Sequence, residues 1–92
     1  MSLERVVTVV PEAGLHARPA SKFVETVNEF DCDVQIGTED GDLAPAGSML
    51  TVTGLGVKSG ENVRLVAEGT DSEAALDALE AVLSTPEGEQ SE

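Results

Sequence analysis

The apolar positions change their period several times along the chain, and each change marks an element. Glu4–Val10 carries Val6, Val7, Val9 and Val10 in a β-branched run, which predicts a strand. Pro11 and Gly14 break that run and mark a loop reaching His16. From Ala17 the period lengthens. Ala20, Phe23, Val24, Val27 and Phe30 recur at steps of three and four, the single apolar stripe of a helix. Pro19 falls in its first turn, where a missing amide hydrogen costs nothing. Cys32, Val34 and Ile36 then alternate within Asp31–Gly37, a second strand with one buried face.

The acidic stretch Thr38–Asp42 contains Gly41 and fits a hairpin, after which Leu43 and Ala44 open a short third strand before Pro45. Ser48–Thr53 reads either as a strand or as one or two helical turns capped by Ser48. Asn62–Glu68 alternates Val63, Leu65 and Ala67 with polar residues, a fourth strand. Thr70 and Glu73 have the spacing of a capping box. Ala75, Leu76, Leu79, Val82 and Leu83 form a second helical stripe, which Pro86 closes. The order β-α-β-β-α-β-α predicts an α+β fold, one four-stranded antiparallel sheet with three helices on one face and the other face solvated.

Ninety-two residues suffice for one small domain, placed at residues 1–85, with residues 86–92 as an acidic flexible tail. So short a chain has no room for a deep cavity, and its chemistry belongs on a loop or an element end. Eighteen acidic residues against five basic ones give a formal net charge of −13. Such a body repels phosphate backbones and anionic lipids, which argues against nucleic-acid and membrane partners. The same excess fits the proteins of salt-loving cells, where molar counterions shrink the Debye length to about 3 Å. With no Trp or Tyr and only Phe23 and Phe30, the chain offers no base-stacking platform. The lone Cys32 reads as a small buried hydrophobe. One His and one Cys do not make a metal set, and neither a metal nor a cofactor is expected. No leader pattern and no long apolar run are found, so the expected location is the cytoplasm.

The candidate chemistry sits at the loop-to-helix junction Ala13-Gly14-Leu15-His16-Ala17-Arg18-Pro19-Ala20, which holds the only histidine. The first amides of a helix lack internal acceptors, and the helix dipole places partial positive charge there. Ala17 and Ala20 are small enough to leave those amides open. Arg18 adds a guanidinium suited to phosphate oxygens. The plain alternative is a solvent-exposed histidine that happens to precede a helix.

Gly-Leu-His-Ala-Arg-Pro-Ala resembles the active-site signature of HPr, the histidine phosphocarrier of the phosphoenolpyruvate-dependent sugar phosphotransferase system. The resemblance runs from about Leu3 to Leu83 and includes Ser48-Met49-Leu50, Leu55-Gly56-Val57 and Val66-Ala67-Glu68-Gly69. It implies the open-faced β-sandwich. It also implies that His16, through Nδ1, accepts a phosphoryl group from Enzyme I and passes it to a sugar-specific Enzyme IIA, as a stoichiometric carrier rather than a stand-alone enzyme. Arg18 and the Ala17 amide would steady the phosphoryl group. Met49, Leu50 and Ser21 would belong to the partner-docking surface of a monomer, with Met49 and Leu50 forming an exposed apolar patch beside His16. Ser48 is either the cap of the short helix or, as in some family members, a regulatory phosphorylation site. Glu25, Asn28 and Thr51 stand where better-known bacterial members often carry lysines, so docking electrostatics must differ. A regulatory HPr paralogue and a module of a dihydroxyacetone-kinase phosphoryl relay are the alternative functions.

Overall fold

The computed structural model describes residues 2–86, and the expected tail from Glu87 to Glu92 lies outside them. Four strands, β1 (Ser2–Thr8), β2 (Cys32–Thr38), β3 (Ala44–Pro45) and β4 (Asn62–Gly69), alternate with three helices, α1 (Ala17–Val27), α2 (Met49–Gly54) and α3 (Ser72–Ser84). The sheet order is β1-β4-β2-β3, and every neighbouring pair is antiparallel. The last strand is thus inserted between the first two, so β1-α1-β2 crosses over it. Among the described residues no helix is long and apolar enough to cross a membrane.

Strand alternation decides which face is covered. Val7, Val34, Ile36, Val63, Leu65 and Ala67 point inward and are buried. They meet Ala20, Phe23 and Val27 of α1 and Ala75, Leu76, Leu79 and Leu83 of α3 in one core. The outer face keeps Glu4, Thr8, Asp33 and Glu68 exposed, and even Val6 there is half-exposed. Burying one face alone suits half-apolar strands, because the other face needs no apolar partner.

Several expectations shift by a residue or more. β1 begins at Ser2 because its pairing with β4 extends to Glu68, and it ends at Thr8. Val9 still bridges across, donating to Glu61 O at 2.9 Å and accepting from Gly60 N at 2.7 Å. Ser48–Thr53 resolves as helix: the Ser48 hydroxyl accepts from Thr51 N at 3.4 Å, the cap bond. The capping box at Thr70 and Glu73 is not formed. The N-cap of α3 is Asp71, with no side-chain cap bond. The Asp71 carboxylate instead accepts from the Asp31 amide at 3.1 Å, tying the start of β2 to the start of α3. Cys32 is half-buried rather than buried, because it opens β2 at the sheet's end.

Arg5 had no role in the sequence pattern. It lies on the inward side of edge strand β1, opposite Leu65, and reaches α3. Its Nη1 donates to Asp77 at 2.7 Å and to Glu80 at 3.0 Å. The Asp77 bond, chiefly, raises the guanidinium's pKa further above its ordinary value.

Candidate functional site

The loop from Val9 to His16 is held from below by two residues the helix pattern does not include. Pro11 and Leu15 are fully buried, and the Leu15 amide donates to Val57 O at 3.0 Å. Gly14 is required by both conformation and space. Its φ is +74, and a Cβ there would lie 2.4 Å from Val57 O and 2.9 Å from the Lys58 Cα. The β1–α1 loop and the 55–60 turn are therefore one packed unit, although forty residues of chain separate them.

His16 follows this anchor as the N-cap of α1, with extended backbone (φ −137, ψ 167) and no side-chain cap bond. Its side chain is half-buried, and its imidazole takes no hydrogen bond among the described residues. The His16 carbonyl accepts the first helical bond, from Ala20 N at 3.4 Å. Pro19 has no N–H. The unpartnered donors of this helix end are thus the Ala17 and Arg18 amides. No acidic residue stands in the first turn.

Ala17 is the only non-glycine with positive φ among the described residues, at 54°. A side chain there costs about 1–2 kcal/mol relative to right-handed backbone. The strain falls at the residue whose amide opens the helix, where sites that must present a group in a fixed pose often store it. Arg18 is exposed and makes no ion pair among the described residues. An imidazole, two open amides and an exposed guanidinium without an ion pair among the described residues therefore stand at one helix start. That arrangement can take up a tetrahedral oxyanion.

The remaining sequence-predicted residues lie along the helix layer. Gly47, just before α2, abuts Asn28 at the C-terminal end of α1, while the exit from α2 meets Leu15 near its N-terminal end. So α2 lies antiparallel against α1. Ser48 is at the end of α1 away from His16, about 16 Å along eleven residues of helix. Met49 and Leu50 are exposed, 39% and 84%, while Val52 of the same helix is fully buried. They open α2 at the end of α1 away from His16, not beside it as expected, because α2 runs antiparallel to α1. Ser21 is half-buried one turn after Ala17. The sequence pattern missed Lys58. Its only local signal was a cation in the turn between Gly56 and Gly60, and nothing in that spacing points to Gly14.

Comparison with known proteins gives one consistent result. Residues 3–85 match the family model described as PTS HPr component phosphorylation site. The phosphocarrier protein HPr of the halophile Haloferax volcanii is 73% identical over 89 residues, covering 96% of this chain and all of that protein. The crystal structure of HPr from Bacillus anthracis superposes with a TM-score of 0.85 at 35% identity, over 89% of this chain and 96% of the other. That of HPr-C-His from Thermoanaerobacter tengcongensis gives 0.87 at 35% identity, over 97% and 99%. With its open-faced sheet, its three helices and a signature histidine at the start of α1, the chain belongs to the HPr family, the phosphocarriers of the phosphotransferase system.

Proposed function

We propose that His16 is the phosphoryl acceptor, taking the group from a phosphohistidine of Enzyme I and delivering it to a sugar-specific Enzyme IIA. The observation that carries this reading is the unpartnered imidazole of His16 at a helix start with two open amides, Arg18 and no acidic residue in the first turn. A ring nitrogen of neutral His16 attacks phosphorus with its lone pair while the donor's N–P bond breaks. The bonding pair returns to the donor imidazole, so one N–P bond replaces another and no proton need move between the partners. The phosphoramidate keeps its transfer potential, and the group can leave again. Positioning and charge neutralisation supply the catalysis. The Ala17 and Arg18 amides and the Arg18 guanidinium meet the phosphoryl oxygens.

In this reading Met49, Leu50 and Ser21 form the docking face, and the protein works as a cytoplasmic monomer. Apolar contact at Met49 and Leu50 keeps its value at high salt, where screening weakens charge steering. The test is intact-mass spectrometry with phosphoenolpyruvate and Enzyme I from a halophilic source, at low and molar salt. The expected result is one acid-labile phosphoryl group on the native chain and none on His16→Ala. Phosphate retained by His16→Ala would overturn the assignment.

A further inference from the structure

We infer that Lys58 is a second cation of the phosphoryl site, contacting the oxygens of the group carried by His16. The inference rests on the reading of His16 as the acceptor. It starts from how the five basic residues are used. Arg5 is bound to Asp77 and Glu80, and Arg64 Nη1 lies 3.7 Å from Glu4. Arg18, Lys22 and Lys58 make no ion pair among the described residues, and all three are exposed. Three cations thus stay free in a chain of net charge −13. Two of these three are on α1, which His16 caps; the third is Lys58.

The packing then places Lys58. Gly14 and the Lys58 backbone are in contact, the approach that a Cβ on Gly14 would forbid. His16 is two residues beyond Gly14, at most about 7 Å of chain. The four-carbon stem of lysine spans such a gap and carries a mobile point charge. The carboxylate nearest in sequence is diverted: Glu61 accepts from the Lys58 backbone amide at 2.9 Å. That bond fixes the turn, and the ammonium makes no ion pair among the described residues. Arg18 approaches the phosphoryl group from the helix, and Lys58 approaches from the 55–60 turn. The P–N bond is made and broken as described above. Lys58 supplies no atom and exchanges no proton, and it neutralises charge on the nonbridging oxygens.

The test compares Lys58→Met, Lys58→Arg and Lys22→Met with the native chain. Two quantities are read: the rate of phosphorylation by phosphoenolpyruvate and Enzyme I, and the titration of the phosphoryl group by phosphorus NMR. Lys58→Met is expected to slow transfer about fivefold to twentyfold and to move the phosphoryl titration to higher pH, since a nearby cation favours the dianion. Lys58→Arg should restore both, and Lys22→Met should change the rate less than about twofold. Native-like rate and titration in Lys58→Met would overturn the inference. So would a slowed rate with an unmoved titration, which would mark Lys58 as a structural residue of the turn. Failure of the native chain to become phosphorylated would instead overturn the His16 assignment.

Discussion

The two long helices begin at opposite ends of the sheet and treat their N-termini in opposite ways. α3 starts beside the acidic end formed by Asp31, Asp33, Glu68 and Asp71. Asp71 is its N-cap and Glu73 stands in its first turn. The chain thus supplies its own anions to that helix dipole. α1 starts beside Gly14 and Lys58, with His16 as N-cap, a strained Ala17 and no acid in the first turn. In so acidic a chain the first turn of α1 is free of acids, as is that of the short α2. In the proposed reading, the anion site depends as much on this absence as on Arg18 and the open amides, and the acid-free turn is what a phosphoryl group fills.

Filling the acid-free turn should break the contrast most strongly. Ala17→Asp places a carboxylate in the first turn of α1, at a position Asp tolerates in left-handed backbone. Phosphoryl transfer should fall about tenfold to a hundredfold, from repulsion of a phosphoryl group a few ångströms away. Melting temperature should hold or rise slightly, because the dipole now has a partner. A single-turnover rate beside a thermal melt checks both, and an unchanged rate would mean that this turn does not meet the phosphoryl group.

The complementary change is at α3. Glu73→Gln removes an anion from a helix start, and Glu29→Gln removes one just beyond the C-terminus of α1. Both lower net charge equally, so general repulsion cancels between them. Glu73→Gln should be the less stable by about 0.3–1 kcal/mol in urea unfolding at ~0.1 M salt, a gap that narrows at molar salt. Equal midpoints would show that the acids of α3 are not serving its dipole.

The smallest effect is expected from Cys32 at the acidic end. Burial, then Asp71, Asp31 and Asp33, raise its pKa above the ordinary 9.0. The unfolded chain therefore loses the thiol proton first as pH rises. The stabilising contribution is complete below the ordinary pKa and is lost as pH climbs through the raised one. Alkylation of native Cys32 should be slower than that of the urea-unfolded chain at the same pH. Equal rates would show that the acidic end exerts no such field.

Much of this fold was legible because its strands and helices have opposite periods. Val63, Leu65 and Ala67 alternate, and Ala20, Phe23 and Val27 do not, so each element's inward face could be read from spacing. The His16 junction was legible because Gly14, Pro19 and the small Ala17 and Ala20 are local requirements of one turn. Thr70 and Glu73 have the spacing of a capping box, but α3 starts one residue later, with Asp71 as N-cap and its carboxylate engaged by the distant Asp31 amide. Arg5, Lys58 and Cys32 were illegible for a common reason: their surroundings come from distant segments.

The sequence by itself determined the order of elements, their buried faces, the charge of the surface and the identity of the histidine at the helix start. These depend on side-chain period, composition and local turn chemistry, which need no knowledge of distant neighbours. Only the tertiary structure decided that β4 lies between β1 and β2, that Arg5 is committed to α3, and that Lys58 stands against Gly14. Those depend on which distant segments share a hydrogen bond or a contact, and no local pattern records that choice.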